Sequence, residues 1–265
     1  MLKRFYITGS KGQIALELRK LLSKKNLDVV ILSKTKPKLF NNEEYIFFNF
    51  KNKFLVPKKS NNIIFHLAHD FKDPNNSNKN INYVGAENLI YSFKNQPKVK
   101  FIYFSTLNIS DAGSTYQNQK FLIEKLFAKE ASLILRISLV FTPNKGINGI
   151  LTKSRFLPLP IPSNKNYISP IDNNNLCIES LRLVDEGLVG YKCVLGKEDM
   201  TFKDFLRKYH KIRSFYLNDF FFDLLNSFLY RVAPSSSFYL RERIYGLQHI
   251  KNIRQLTEGQ EIIRI

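Results

Sequence analysis

The chain has 265 residues, room for one large α/β domain or for a nucleotide-binding domain with a small second lobe. Hydrophobic residues make up 44% and charged residues 24%, which is globular composition and enough apolar material for a sizeable core. Forty-one Lys and Arg against 22 Asp and Glu give a net charge of +19. That balance suits an anionic partner, but the lysines are scattered among many asparagines and form no dominant block. With no zinc-finger or RNA-binding motif, the charge reads as compositional bias with room for a basic cleft around a diphosphate. No nucleic-acid partner is expected.

Cys177 and Cys193 are isolated and match no metal or redox spacing, which points to a reducing compartment. The first residues run straight into a strand and leave no room for a signal peptide. The apolar stretch from Phe220 to Val232 is broken by Asp223, Asn226 and Arg231, well short of the roughly 20 apolar residues of a membrane span. A cytoplasmic protein without a membrane span is expected. The same stretch, with Phe221, Leu224, Leu225, Phe228 and Val232 on one face, predicts a helix covering a second lobe.

In chain order, Phe5 to Ile7 is a short apolar run closed by Thr8-Gly9 and reads as a buried strand. Ile14, Leu18, Leu21 and Leu22 carry a helical period. Val29 to Leu32, Tyr45 to Phe48 and Ile63 to Ala68 are further strands. Tyr83 to Phe93 is a helix, Val99 to Phe104 a strand, Tyr116 to Phe127 a helix and Leu133 to Val140 a strand. This alternation predicts a parallel sheet with helices on both faces. Beyond Phe141 it breaks. Leu157 to Pro162 is a proline-punctuated loop that no central strand tolerates. Asn173 to Val184 is one more helix, with Asp172 placed to cap it, and short mixed elements follow from Gly187.

The segment Gly9-Ser10-Lys11-Gly12-Gln13-Ile14 joins the first strand to the first helix. Glycines there permit a tight turn and close approach of a pyrophosphate, and the helix N-terminus adds N–H groups and a positive dipole end. A dinucleotide is the expected ligand. Where an NAD-preferring site would carry an acidic residue after the second strand, this chain has Ser33-Lys34-Thr35-Lys36. A hydroxyl and cations suit a 2′-phosphate, so NADP(H) is preferred and NAD(H) remains an alternative. Further on, Tyr116 and Lys120 are four residues apart, a spacing that stacks both on one helix face. An adjacent ammonium favours tyrosinate and lets a phenol exchange protons near neutral pH.

In this order the motifs resemble the extended short-chain dehydrogenase/reductases, the NAD-dependent epimerase/dehydratase family. Thr8 to Ala15 is similar to its glycine turn. Phe65 to Ala68 is similar to its HLAA strand end, and Asn82 to Leu89 to its N-x-x-GT-x-NLL helix. Phe101 to Thr106 resembles the strand delivering its Ser or Thr, and Tyr116 with Lys120 its YxxxK pair, continued by Glu124, Lys125 and Leu126. Leu135-Arg136 to Phe141 and Asn166 to Asn173 resemble two further segments.

The resemblance implies a Rossmann-type doubly wound parallel sheet over residues 1–142. It also implies a small C-terminal substrate-binding lobe over 143–265, with 164–186 packing back on the sheet. It implies catalytic Thr106 (Ser105 as substitute), Tyr116 as general acid/base, and Lys120 holding the nicotinamide ribose. Cofactor contacts would come from Gly9, Ser10, Lys11, Gly12, Gln13, Ile14, Ser33, Lys34, Asn49, Leu67, Ala68, His69, Asn82, Tyr116 and Lys120. The implied activity is reduction or epimerisation of a nucleotide-activated sugar, with a 4-keto-sugar reductase in glycan precursor synthesis favoured and a homodimer as the working form. A non-catalytic dinucleotide-binding member of the same fold is the alternative.

The sequence departs from the pattern in four places. Ala15 replaces the third glycine, Gln119 stands where Ser is common, and Asn49 replaces an acidic residue. Thr106 and Tyr116 are only 10 positions apart (116 − 106), a shorter segment than the family's substrate loop. His66 and His69 flank the end of the fourth strand without a carboxylate-rich partner, so packing beside the cofactor is expected of them rather than metal binding.

Overall fold

The computed structural model describes residues 3–57, 61–109, 113–130, 132–142, 159–163, 166–218, 220–221, 223–224, 227 and 253–265. The first half alternates as its apolar runs dictate: β1 (Lys3–Thr8), α1 (Gln13–Lys24), β2 (Asp28–Ser33), β3 (Glu43–Phe47), β4 (Asn61–His66), α2 (Ile81–Phe93), β5 (Val99–Thr106), α3 (Thr115–Phe127) and β6 (Leu133–Ile137). There follow β7 (Val140–Phe141), β8 (Leu159–Pro162), β9 (Tyr167–Ile168), β10 (Ile171–Asp172) and α4 (Asn173–Asp185). The last elements are β11 (Gly190–Leu195), β12 (Met200–Thr201), α5 (Phe202–His210), β13 (Ser214–Leu217), α6 (Ile253–Thr257) and β14 (Ile262–Arg264).

Eight of these strands form one sheet in the order β14-β11-β6-β5-β4-β1-β2-β3, and every pairing in it is parallel. Strands buried on both faces have no polar side to show water, which explains the unbroken apolar runs. One face carries α1 and α4, packed on each other and closing a core with Ile7, Phe65, Phe104 and Leu135. On the other, α2 and α3 cover Tyr6, Ile64, Tyr103 and Ile134. Successive residues of each strand thus serve opposite cores, the period-two rule of a pleated sheet. The chain leaves β1 toward β2 and β3, then crosses back to β4 on β1's other side. That reversal opens a crevice at the carboxyl ends of β1 and β4.

The sheet extends past the boundary expected at residue 142. Leu133 to Val140 divides into β6 and β7, and β11 and β14 add two strands beyond β6. α4 packs against α1, with Asn173 donating to the Gln13 carbonyl at 3.0 Å, and Asp172 caps α4 by accepting from the Asn174 and Asn175 amides. The stretch expected to be loop from Leu157 is strand over Leu159–Pro162, paired with β13. Two prolines are tolerated there because a strand in a two-stranded sheet always has a free edge. A second core of Phe141, Ile161, Ile168, Met200, Phe205, Leu206 and Ile212 lies among β7, β8, β9 and α5. The helix expected from Phe220 lies largely outside the described residues. Among those described, Phe220, Phe221 and Leu224 are exposed.

One charged residue is sealed inside. Arg19 is 2% exposed on the inner stripe of α1, in line with Ala15, Leu18 and Leu22. Its guanidinium makes two 2.7 Å bonds to the Glu43 carboxylate and also donates to the carbonyls of Ser10 at 3.1 Å and Lys38 at 2.7 Å. Glu43 in turn accepts from the Phe40 amide. The pair ties the glycine turn to the 34–43 connection and the sheet edge. Removing one partner leaves an uncompensated buried charge, so Arg19→Met is expected to cost about 3–5 kcal/mol. The double change Arg19→Met with Glu43→Leu should recover much of that. Urea unfolding followed by circular dichroism tests it, and a single variant as stable as wild type would contradict the assignment.

Candidate active site

The site begins at the end of β1. Thr8 Oγ1 accepts hydrogen bonds from the Leu67 and Ala68 amides, both at 3.0 Å, and lies 3.0 Å from His66 Nδ1. With two N–H donors on its oxygen, the hydroxyl's own proton goes to His66. His66 Nδ1 therefore accepts, and the ring proton resides on Nε2, which is buried among Tyr103, Phe127 and Phe50. Burial, then the nearby Lys120 charge, pulls His66 down to about 3. His66 is thus a neutral packing residue, 1% exposed.

Gly9 turns the chain at φ +68°, and a Cβ there would lie 2.8 Å from the Ala68 nitrogen. Only glycine lets the two strand ends meet this closely. Gly12 donates to the Gly9 carbonyl at 2.8 Å and caps α1, which has no side-chain cap and no acidic residue in its first turn. The next turn's N–H groups, from Gln13 onward, are left to an outside acceptor, and the positive helix end is unopposed. Ser10 is buried and its hydroxyl has no partner. This cradle fits a pyrophosphate.

Beyond β2, Lys11 bridges to Thr35, its Nζ donating to Oγ1 at 2.9 Å, and Ser33 donates to the Thr35 carbonyl at 2.8 Å. Lys34 and Lys36 are exposed beside them. Asn49 stands apart in the loop after β3, where its Oδ1 closes a turn by accepting from the Lys51 and Asn52 amides. Asn82 is fully buried; it accepts from the Asp70 amide and donates to the Asp70 carbonyl and to Gln119 Oε1. It shapes the 70–75 loop and does not offer its side chain to a ligand.

Ser114 starts α3 with a reciprocal capping box to Gln117, which places Tyr116 in the first turn and Lys120 one turn later. Lys120 is 4% exposed; its Nζ donates to the Phe104 carbonyl at 2.6 Å and lies 4.7 Å from the Tyr103 ring centroid and 5.7 Å from that of Tyr116. Burial pulls its ammonium down to about 7, with Glu124 opposing the shift. Glu124 binds Arg136 of β6 at 2.7 Å and so clamps α3 to the sheet. On β5, Ser105 is 2% exposed with an unpartnered hydroxyl, while Thr106 at the strand end is more accessible.

Two rings wrap Tyr116: Phe71 stacks on it at 5.4 Å and 19°, and His69 meets it edge-on at 4.9 Å and 84°. The loop that carries them is strapped to α3 by Gln119 Nε2, which donates to the Asp73 and Asn75 carbonyls at 2.8 Å. Among the described residues, no group of three His, Cys, Asp or Glu is placed to hold a metal ion, and no helix is long and apolar enough to cross a membrane.

The structure thus places Gly9 to Ile14, Leu67 and Ala68 at the carboxyl ends of β1 and β4, Ser33 and Lys34 at the end of β2, and His69 against Tyr116, with Lys120 one turn further along α3. Arg19, Thr8 and Phe71 were not anticipated. Arg19 could have been found, since a charge in line with Ala15, Leu18 and Leu22 needs a buried counter-ion. Phe71 gave no sequence signal.

Solved structures share this fold. The Bordetella bronchiseptica enzyme WbmH, crystallised with NAD+, superimposes with a TM-score of 0.65 at 20% identity, over 82% of this chain and 86% of that one. A hypothetical dTDP-4-dehydrorhamnose reductase from Sulfolobus tokodaii gives 0.65 at 20% identity, over 81% and 85%. UDP-glucose 4-epimerase from Thermus thermophilus with NAD gives 0.64 at 15%, over 81% and 86%. The chain has their fold. No protein-family model matches the sequence, and a comparison with curated proteins finds no match.

Lys120 gives a pH signature. Between about 7 and its ordinary 10.5, the unfolded chain holds a proton that the folded chain lacks. Stability of the cofactor-free protein should therefore rise with pH across that window, and this lysine should contribute a slope of up to about 1.4 kcal/mol per pH unit. Lys120→Met should flatten the rise. Equal slopes for the two proteins in urea titrations at stepped pH would show Lys120 to be unshifted.

Proposed function

We propose that the chain is an NAD(P)(H)-dependent oxidoreductase or epimerase acting on a nucleotide-activated sugar, with reduction of a 4-keto sugar favoured. The observation that carries this reading is the joint placement of Tyr116 and Lys120, on one face of α3, beside an anion cradle at the β1/β4 reversal. WbmH and the rhamnose-type reductase lend support as holders of the same fold.

Gly9 to Ile14 would take the pyrophosphate, and Leu67 and Ala68 would line the dinucleotide's path. The bound dinucleotide would supply the hydride. Lys120 keeps two N–H donors after its bond to Phe104, enough to hold a ribose hydroxyl, with its Nζ 5.7 Å from the Tyr116 ring centroid. Tyr116 would pass its phenolic proton to the carbonyl oxygen being reduced, with Thr106 donating to that oxygen. Lys11, Lys34 and Lys36, with no carboxylate at the end of β2, favour a 2′-phosphate and so NADP(H) over NAD(H). One observation favours the second reading, a non-catalytic dinucleotide-binding protein: Phe71 already covers a face of Tyr116.

Hydride exchange between NADPH and a panel of 4-keto nucleotide sugars separates the two. Tyr116→Phe keeps the ring and should lower turnover by about 10² to 10⁴ with dinucleotide affinity near normal, whereas no turnover on any substrate would favour the second reading. Gly12→Val should abolish NADPH binding, because a Cβ there already meets the Gly9 carbonyl at 3.2 Å and the longer side chain fills the phosphate's place. NADPH should bind more tightly than NADH in calorimetry; equal affinities would remove the role given to Lys34.

A further inference from the structure

A phenol that passes a proton must be held within about 0.5 Å and 10–20° of its productive geometry. Tyr116 is half-buried in the first turn of α3, and two rings that brace it come from outside that helix. Phe71 stacks on it at 5.4 Å and 19°, and His69 meets it edge-on at 4.9 Å and 84°. Phe71 and His69 also touch each other, at 4.8 Å and 67°, so the three rings form one packed group.

Phe71 lies on a connection made of turns, yet the backbone on both sides of it is fixed. Asp70 donates its amide to Asn82 Oδ1 at 2.6 Å and accepts on its carbonyl from Asn82 Nδ2 at 2.9 Å. The Asp73 carboxylate accepts from the Ile81 amide at 2.6 Å and the Asn75 amide at 2.9 Å. The remaining anchor is Gln119, 1% exposed. Its Nε2 donates to the Asp73 and Asn75 carbonyls, both at 2.8 Å, and its Oε1 accepts from Asn82 Nδ2 at 3.0 Å. A serine in its place has a single donor and is two bonds shorter, so it could not serve both carbonyls. Gln119 follows Tyr116 by three positions on one helix (119 − 116), which makes them neighbours on its surface. The contacts therefore close a circuit. It runs from α3 through Gln119 to the loop, along the loop to Phe71, and from Phe71 onto Tyr116 and back to α3.

We propose that Phe71 and Gln119 are positioning residues for Tyr116: Gln119 fastens the 70–75 loop to α3, and Phe71 holds the phenol in the rotamer from which it serves the reacting carbonyl. This rests on the reading of Tyr116 as the general acid given above. It assigns the Phe71 contact the opposite sense to the non-catalytic reading, in which that ring covers the phenol.

The test compares wild type with Phe71→Leu, which keeps apolar bulk without a flat face, Phe71→Tyr, which keeps the face, and Gln119→Ser, which removes the strap. Proton NMR of the cofactor-free protein reads the stack without any substrate, the Tyr116 ring signals being assigned by their loss in Tyr116→Phe. Those signals should lie away from random-coil positions in wild type and Phe71→Tyr, and return toward them in Phe71→Leu and Gln119→Ser. With NADPH and dTDP- or UDP-linked 4-keto-6-deoxyhexoses, kcat should fall about 10- to 100-fold in Phe71→Leu and Gln119→Ser. KM for the sugar and NADPH affinity should stay within about threefold, and Phe71→Tyr should recover most of the kcat. Because both residues act through one contact, the double variant should lose no more than about threefold beyond either single one. Wild-type kcat in Phe71→Leu, or losses that multiply in the double variant, would overturn the assignment. A higher kcat in Phe71→Leu would overturn it too and make the ring a cover. Should Gln119→Ser melt at a lower temperature, the two Phe71 variants decide alone, since both leave the strap intact. A wild-type protein that turns over none of these sugars would instead overturn the reading of Tyr116, and this assignment with it.

Discussion

The site depends on one hydroxyl. Thr8 closes the seam where the strand order reverses, taking two amides from the strand end across the crevice and giving its proton to His66. Without that clasp the carboxyl ends of β1 and β4 would carry two buried amides with no acceptor, a cost that splaying and hydration would relieve. With it, Gly9 lies against Ala68 at a distance that excludes any side chain. The glycine turn, the start of α1 and the loop leading to His69 all take their positions from this seam, so a three-bond contact sets the spacing of a much larger cleft.

Much of this was legible in the chain itself. Short apolar runs with helical stretches between them mark strands buried on both faces, and a doubly wound sheet follows from their alternation. The four-residue interval between Tyr116 and Lys120 places them on one helix face regardless of context. What stayed hidden depends on distant partners. β14 is three residues of Ile-Ile-Arg with no signal apart from the strand it pairs with, and β8 reads as loop because its prolines speak louder than its pairing. Asn82 and Asn49 drew attention by family pattern, and their bonds show local duties in shaping loops. Gln119 looked like a lapse from the usual serine, but its amide replaces a small hydroxyl with a strap reaching two carbonyls of the neighbouring loop.

Two buried cations show how partner chemistry separates support from chemistry. Arg19 meets a carboxylate in a two-bond fork and two carbonyls besides, so its charge is matched and its guanidinium is held in place. Lys120 is sealed almost as deeply, yet it donates to a neutral carbonyl and lies beside two aromatic rings. A charge bonded to a carbonyl dipole, and supported by Glu124 only through space, is poised to change its protonation state or to accept a further partner. The first ties the glycine turn to the 34–43 connection, and the second keeps donor capacity beside Tyr116.

The second core has a consequence of its own. Phe141, Ile161 with Ile168, and Met200 with Phe205 come from three stretches of chain, and between the last two the backbone runs back through α4 and β11 of the main sheet. Any contiguous fragment that contains this core also carries α4 and β11, which belong to the main sheet and its packing. The core has no route to independent folding, because the entropy of gathering its pieces is offset only once β6, α4 and β11 already hold them near one another. Melting should therefore take the lobe and the sheet together in a single cooperative step, and a truncation meant to isolate either half would leave both with severed cores.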